Sequence, residues 1–323
     1  MKNKKKICVV GAGKWGINHI KTLDSLNCLG GVVESNKDNL KKIESLYPNT
    51  KLSINIDQSF KYDFDGYIIA TPAPSHFELA KKVLSNKKPV LVEKPLTLDL
   101  KTAMDLNEFS KKEKVLLMVG HVLLFHPAFI KMKSLISEGL IGEMQYIYSN
   151  RLNLGTFRKD ENVFWSFAPH DISLFNYFFN DTPSKVSSNG LDILQKNIHD
   201  ITITSFEYGK RKMGHIFVSW LHPFKEHRFV IVGSEGMLHF EDSAENKPLL
   251  YYDKKAEIIN SVLSPKSGEI KNIQYEDIMP LTAELKYFIS NLSSKSVEKA
   301  GGDSAVEVMR ILENSSKNLI ENI

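Results

Sequence analysis

The chain is poor in cysteine, with only Cys8 and Cys28 among 323 residues. Two thiols without a framework spacing exclude a disulfide-built scaffold and fit a reducing compartment, where buried cysteine acts as a small hydrophobe. No apolar run approaches the roughly 18 residues that a membrane span needs. The basic N-terminus runs straight into a glycine motif, which leaves no room for a signal peptide. A cytoplasmic protein with no membrane partner is expected. An excess of one charge is also lacking: 42 basic and 38 acidic side chains leave a net +4, and Lys4, Lys5 and Lys6 supply much of it. A solvated tail accounts for that run, so nucleic acid is not an expected partner. Histidines at ligand spacing are missing too. His199, His215 and His222 are scattered, and no metal is expected. No internal repeat and no low-complexity linker interrupts the chain.

What is present is ordinary in bulk and specific in detail. At 323 residues, with 42% hydrophobic and 25% charged side chains, the chain is a globular protein long enough for two domains. Up to about Gly120, short β-branched runs alternate with helical stretches. Ile7–Val10, Gly31–Val33, Tyr67–Ala70, Val90–Val92 and Val115–Val119 read as strands, with helices ending near Ser25 and spanning Asp38–Tyr47, His76–Asn86 and Asp99–Glu113. This alternation predicts a parallel, doubly wound sheet of Rossmann type over residues 1–120. After His121 the pattern changes. Helices are expected over Pro127–Glu138 and Trp165–Phe178. Strands are expected at Met144–Asn150, Val186–Ser188, Ile201–Tyr208, Lys212–Leu221, Phe229–Val232, Met237–Phe240 and Leu249–Tyr252. Period-two alternation in Ile201–Phe206 and the Gly233-Ser234-Glu235-Gly236 hairpin signal predict an α+β domain with an open, mostly antiparallel sheet over 121–323. Helices near Leu281–Leu292 and Ser304–Asn322 close the chain, the last one able to pack back on the first domain.

Two short pieces carry the chemistry. Gly11, Gly13 and Gly16 follow a strand and open a helix at G-x-G-x-x-G spacing. The first glycine permits the tight turn, the second lets backbone approach a pyrophosphate, and the third lets the helix lie close to the strand. Glu34 ends the second strand, where an acidic residue accepts hydrogen bonds from an adenosine ribose. Its charge repels a 2′-phosphate and favours NAD over NADP, although Lys37 is near enough to neutralise such a phosphate. Lys94, in Glu93-Lys94-Pro95, stands at the carboxyl end of another strand, where ligands sit in open α/β sheets. An amine held among cofactor and apolar walls is tuned toward acid–base work, and Pro95 restricts it to extended backbone. In Ala70-Thr71-Pro72-Ala73-Pro74-Ser75-His76 two prolines hold an extended loop, and His76 reads first as a partly exposed residue at a helix start. His170 lies among aromatics beside Asp171, which can cap the following helix.

Gly11–Gly16, Ala70–His76, Glu93-Lys94-Pro95 and Gly139-Leu140-Ile141-Gly142-Glu143, in this order over nearly the whole chain, together resemble the glucose-fructose oxidoreductase / inositol dehydrogenase / rhizopine catabolism (Gfo/Idh/MocA) family. The resemblance implies a Rossmann domain followed by an open-faced α/β domain whose sheet often forms oligomer contacts, hence a homodimer or homotetramer. It implies NAD(P)-dependent oxidation of a sugar or cyclitol hydroxyl, or the reverse. The family's catalytic lysine and histidine fall on Lys94 and His170. Cofactor contacts are expected from Gly11, Gly13, Lys14, Trp15, Gly16, Glu34, Thr71, Pro72, His76, Glu93 and Lys94. Many members carry an aspartate four residues before the histidine; here it is Ser166, which leaves Lys94 more of the proton transfer or Asp171 as partner of the histidine. Arg151-Leu152-Asn153-Leu154-Gly155 with Trp165–Asp171 is similar to the nucleotide-sugar 3-dehydrogenase branch. Substrate contacts are then expected from Lys94, Arg151, Asn153, Trp165 and His170. A surface charge at a strand end is the rival account of Arg151. Two other functions fit: a dehydrogenase of inositol or free sugar (or a ketosugar reductase), and an NAD-binding sensor without catalysis, which only Ser166 favours.

Overall fold

A computed structural model describes residues 4–155, 157–159, 161–209 and 211–321. Internal contacts divide the chain into two compact units, residues 1–125 with 279–309 and residues 126–278 with 310–323. In the first unit, β1 (Ile7–Val10), β2 (Leu29–Val33), β3 (Lys51–Ser53), β4 (Gly66–Ile69), β5 (Val90–Val92) and β6 (Leu117–Val119) form one sheet in the order β3-β2-β1-β4-β5-β6. Every neighbouring pair is parallel. The apolar runs of β1, β4 and β5 are buried along their whole length, as expected of strands covered on both faces. The strand order reverses between β1 and β4, and the loops after these strands form the crevice where doubly wound sheets bind ligands.

The helices follow from spacing and caps. In α1 (Gly16–Ser25) the buried positions Gly16, His19, Ile20 and Leu23 recur at helical period. Asn36 caps α2 (Lys37–Leu46), its side chain accepting from the amides of Asp38 and Asn39. Asn55 caps the short α3 (Ile56–Ser59). In α4 (His76–Ser85), Ala80, Val83 and Leu84 face inward; burying the last two contributes about 1.5–3 kcal/mol each. Asp99 caps α5 (Leu100–Glu113) through the Thr102 amide.

A single cut near residue 120 does not describe this unit, because segment 279–309 also belongs to it. Residues 280–290 pack against α1 and the turn at 122–125, and backbone pairing at the sheet edge adds to this. Met118 of β6 bridges Gly301, and the Val119 amide donates to the Ala300 carbonyl at 2.8 Å.

The second unit starts with α6 (Pro127–Ser137) and β7 (Met144–Leu152), then α7 (Val163–Phe179) and seven further strands. These are β8 (Lys185–Leu191), β9 (Ile201–Tyr208), β10 (Lys212–Ser219), β11 (Glu226–Gly233), β12 (Met237–Glu241), β13 (Leu249–Ile259) and β14 (Val262–Asn272). The sheet order is β14-β13-β12-β11-β7-β10-β9-β8, and only the β7–β10 pair is parallel. One face packs on an aromatic core in which Phe229 stands 5.0 Å from Phe129, 5.7 Å from Phe175 and 5.6 Å from Phe178 between ring centroids. The alternation in β9 turns its threonines inward: Thr202 and Thr204 are fully buried, while Ile203 is 52% exposed. Ser188 of β8 accounts for part of this, its hydroxyl lying 2.9 Å from that of Thr204.

Two helices end the chain, α8 (Pro280–Ser290) and α9 (Gly302–Glu321). The expected last residue of α9, Asn322, lies outside the described residues. No described helix is long and apolar enough to cross a membrane.

Candidate active site

The cofactor loop is built by its own steric limits. Gly11 has φ +96°, and a Cβ there would stand 2.9 Å from the Ala70 carbonyl oxygen. A Cβ on Gly16 would fall 2.0 Å from the Gly11 carbonyl oxygen, so α1 approaches β1 only with glycine at that position. A Cβ on Gly13 would meet nothing within 4 Å, which leaves an open face for a ligand's approach. The first turn of α1 carries no side-chain cap, so its amides are available to phosphate oxygens. Glu34 is held at the end of β2 by two amides, Ala12 N on Oε2 and Asn36 N on Oε1, each at 2.8 Å. Amides for a diphosphate and a fixed carboxylate for a ribose diol fit a nicotinamide dinucleotide. Lys37, the possible counterweight to Glu34, opens α2 with its side chain exposed.

The loop after β4 is not extended throughout. Ala73–Ser75 form a turn of 3-10 helix, closed by Ser75 N on the Pro72 carbonyl at 3.0 Å. Thr71 Oγ1 and Ser75 Oγ lie 2.7 Å apart. His76 is not a partly exposed residue at a helix start; it is 1% exposed. Its Nδ1 lies 2.8 Å from the Pro95 carbonyl and its Nε2 2.8 Å from the Thr71 carbonyl. Both ring nitrogens are therefore used inside the protein, and His76 has none left for a cofactor.

Glu93 connects the loop after β5 to the glycine loop. Its Oε1 accepts from Trp15 Nε1 and lies 2.6 Å from His19 Nε2, and its Oε2 accepts from the Lys94 amide at 3.2 Å. Gly120 leaves room for this carboxylate, since a Cβ there would stand 2.9 Å from Oε2. Trp15 and Glu93 thus hold each other. Lys94 is half-buried at the carboxyl end of β5, and the peptide after it is cis. Three groups in this region were not foreseen from sequence. His19 is fully buried in α1. His121 follows β6, and burial pushes it down to about 4, against the pull of Glu93. Glu284 of α8 is fully buried, with no hydrogen-bond partner on either carboxylate oxygen among the described residues. Burial, then the charge of Glu93, holds its carboxyl well above the usual range. All three come from segments remote in sequence from Glu93, and no local motif marks them.

In the second unit, Asn162 caps α7 through the Trp165 amide at 3.0 Å, and the helix continues through Pro169. Trp165 spends its indole N–H on Ser316 Oγ at 2.7 Å, so what remains for a substrate is its ring. Ser166 is buried and His170 half-buried. Asp171 neither caps the helix nor serves His170. Fully buried in mid-helix, it accepts from Ser149 Oγ at 2.6 Å and from Arg151 Nε at 2.5 Å. Arg151 is therefore no surface charge. His126 and His227 are each pushed down to about 4, by burial first, with the Arg151 charge adding to it. Asn153 follows β7, its amide donating to the Ser219 carbonyl at 3.1 Å. Among the described residues no group of three or more His, Cys, Asp or Glu side chains is placed to hold a metal ion.

Comparison with known proteins extends over the same segments. Residues 5–121 match the family model described as an oxidoreductase family with an NAD-binding Rossmann fold. Residues 129–239 match that of the GFO/IDH/MocA C-terminal domain. The chain is 24% identical over 261 residues to the scyllo-inositol 2-dehydrogenase (NAD(+)) of Bacillus subtilis (strain 168), covering 74% of each chain. Its fold is shared with UDP-N-acetylglucosamine 3-dehydrogenase GnnA from Acidithiobacillus ferrooxidans, at TM-score 0.84 and 19% identity over 97% of each chain. It is shared likewise with apo scyllo-inositol dehydrogenase from Lactobacillus casei, at TM-score 0.82 and 16% identity, over 100% of this chain and 98% of that one.

Proposed function

Because the chain belongs to the Gfo/Idh/MocA family of NAD-binding oxidoreductases, we propose that it interconverts a ring hydroxyl and a ketone on a nucleotide-linked sugar of the UDP-N-acetylglucosamine type. The bound nicotinamide supplies or accepts the hydride. The glycine loop, Glu34 and the Thr71–Pro72 turn hold the dinucleotide. Lys94 takes the hydroxyl proton as the carbonyl forms, and the protonated amine then steadies the oxygen it has served. The observation that carries this reading is the Glu93 carboxylate, which ties Trp15 of the glycine loop to the backbone of Lys94. His170 acts as the second proton-exchanging group, without Asp171 to orient it.

The nucleotide-linked substrate rests on Arg151. It is fixed through Nε alone, and the terminal guanidinium nitrogens form no hydrogen bond with the described residues. A guanidinium held in this way matches a pair of phosphate oxygens. Asn153 and the ring of Trp165 would complete the sugar contacts. A free cyclitol is the second reading, favoured by the inositol dehydrogenase relative.

The test is NADH formation with UDP-N-acetylglucosamine, its uronic acid, free N-acetylglucosamine and myo-inositol, single-turnover amounts of enzyme included. Signal with the UDP-linked sugars alone is expected. Signal with inositol or free sugar alone would overturn the nucleotide-sugar reading, and silence throughout with NAD bound would overturn catalysis itself.

A further inference from the structure

We propose that His76 is a positioning residue for Lys94: its ring joins the Pro95 carbonyl to the Thr71 carbonyl and so fixes the loop after β5 to the loop after β4. The inference rests on the reading of Lys94 as the acting group. β4 and β5 pair in parallel through Ile69 and Val92, and the last ladder bond is Glu93 N on the Ile69 carbonyl at 2.9 Å. Beyond it the two chains leave the sheet, and what they turn toward each other is two acceptors. Carbonyl oxygens cannot bond one another, so a link needs a donor placed between them.

An imidazole ring meets this need. Its two nitrogens point apart, and each lies 2.8 Å from one of the two oxygens. Both partners accept, and His76 itself opens α4 directly after the Thr71–Ser75 turn, so one ring N–H on the Pro95 carbonyl is enough to tie the two loops. At 1% exposure the ring is shielded from solvent competition for that bond.

The site of attachment matters. Pro95 has no N–H, so the backbone on the carboxyl side of Lys94 has no donor of its own, and His76 Nδ1 reaches the Pro95 carbonyl at 2.8 Å. On the amino side, Glu93 accepts from the Lys94 amide at 3.2 Å. Lys94 is thus held from both sides, by Glu93 toward the glycine loop and by His76 toward the Thr71–Ser75 turn. Loss of the second hold loosens the backbone that carries the amine, and a misplacement of about 1 Å costs about 100-fold in rate.

Two measurements test the proposal. In His76→Phe an aromatic ring remains and both nitrogens are lost. Turnover should fall by about 100-fold with NAD affinity little changed, and His76→Gln, whose amide nitrogen offers two hydrogens, should recover part of it. Unchanged turnover in His76→Phe would overturn the proposal. The second uses the unaltered protein, with solvent exchange of the His76 ring N–H followed by 15N-resolved NMR. A ring N–H protected from exchange is expected; a ring N–H exchanging as freely as an exposed histidine's would overturn the link whether or not the variants fold. That spectrum needs no substrate, so failure of the His76 link and failure of the Lys94 assignment are separately visible.

Discussion

At the scale of single residues, Lys94 is where the proposed chemistry stands or falls. Lys94→Ala should lower turnover by about 10²–10⁴-fold while the dinucleotide still binds, because Glu34 and the glycine loop are untouched. Single-turnover kinetics beside an NADH fluorescence titration separates the two effects, and equal activity would remove Lys94 from the mechanism. This lysine was legible in sequence because everything that places it is local: a buried strand, the strand's end, and a proline after it. The same is true of Gly11, Gly16 and Glu34, whose roles depend on a strand–turn–helix only a few residues long. His76 was visible as a residue but not as a link. Its partners are carbonyl oxygens, which any residue supplies, so no side-chain pattern could announce them. Glu284 is the extreme case, a carboxyl in a helix far along the chain whose surroundings exist only in the folded unit.

At the scale of elements, β7 and α7 show how a misread charge becomes a structural pair. In sequence Arg151 reads as a substrate contact or a strand-end charge, and Asp171 as a helix cap or a partner of His170. They form instead an ion pair in which the aspartate is fully buried. Removing one partner from such a pair leaves a charge without compensation, a loss of about 3–5 kcal/mol. Asp171→Ala should therefore lower the unfolding free energy of the second unit by about 3 kcal/mol. The double change with Arg151→Met should restore much of it, as urea titration would show. If the single and double variants match, the pair contributes little and Arg151 is held by other means. Other elements escaped the sequence reading for a related reason. β14 is exposed over nearly its full length, so it carries no buried alternation. Its turn with β13 uses Asn260 and Ser261, both at positive φ, without the glycine that usually marks such a turn. α7 continues through Pro169 because the helix is packed on both sides of it, and packing overrides propensity.

At the scale of the whole molecule, the two sheets were legible from the change in period along the chain, whereas of segment 279–309 only the return of the last helix was expected, since its membership depends on the packing of α8 and a bridge to β6 rather than on any boundary signal. That division has a consequence for acid stability, because the perturbed groups are shared unequally. The second unit contains His126 and His227, each held near 4 rather than 6.5 by burial, with His215 and His239 also held low. A histidine depressed in the folded state binds its proton more readily when unfolded. Its stabilisation is full above about pH 6.5 and is lost as pH falls toward 4. All four act in the same direction. The first unit contains His121, also held near 4, but Glu284 opposes it. A carboxyl raised in the folded state keeps a proton that the unfolded chain has released above about pH 4.5. It therefore costs stability as pH rises from there and returns it as pH falls. Each group acts with a slope of at most about 1.4 kcal/mol per pH unit. The first unit should thus lose less stability than the second on acidification from about pH 6.5 toward 4.5, while the second loses about 2 kcal/mol per unit, the partial exposure of His227 being allowed for. Hydrogen exchange read segment by segment should show β7–β11 losing protection on acidification before β1, β4 and β5 do. Glu284→Gln removes the opposing carboxyl. It should raise the stability of the first unit at neutral pH and make that unit acid-sensitive through His121. Equal acid loss in both units of the unaltered chain, or no gain at neutral pH in Glu284→Gln, would show that Glu284 does not carry its proton in the folded protein.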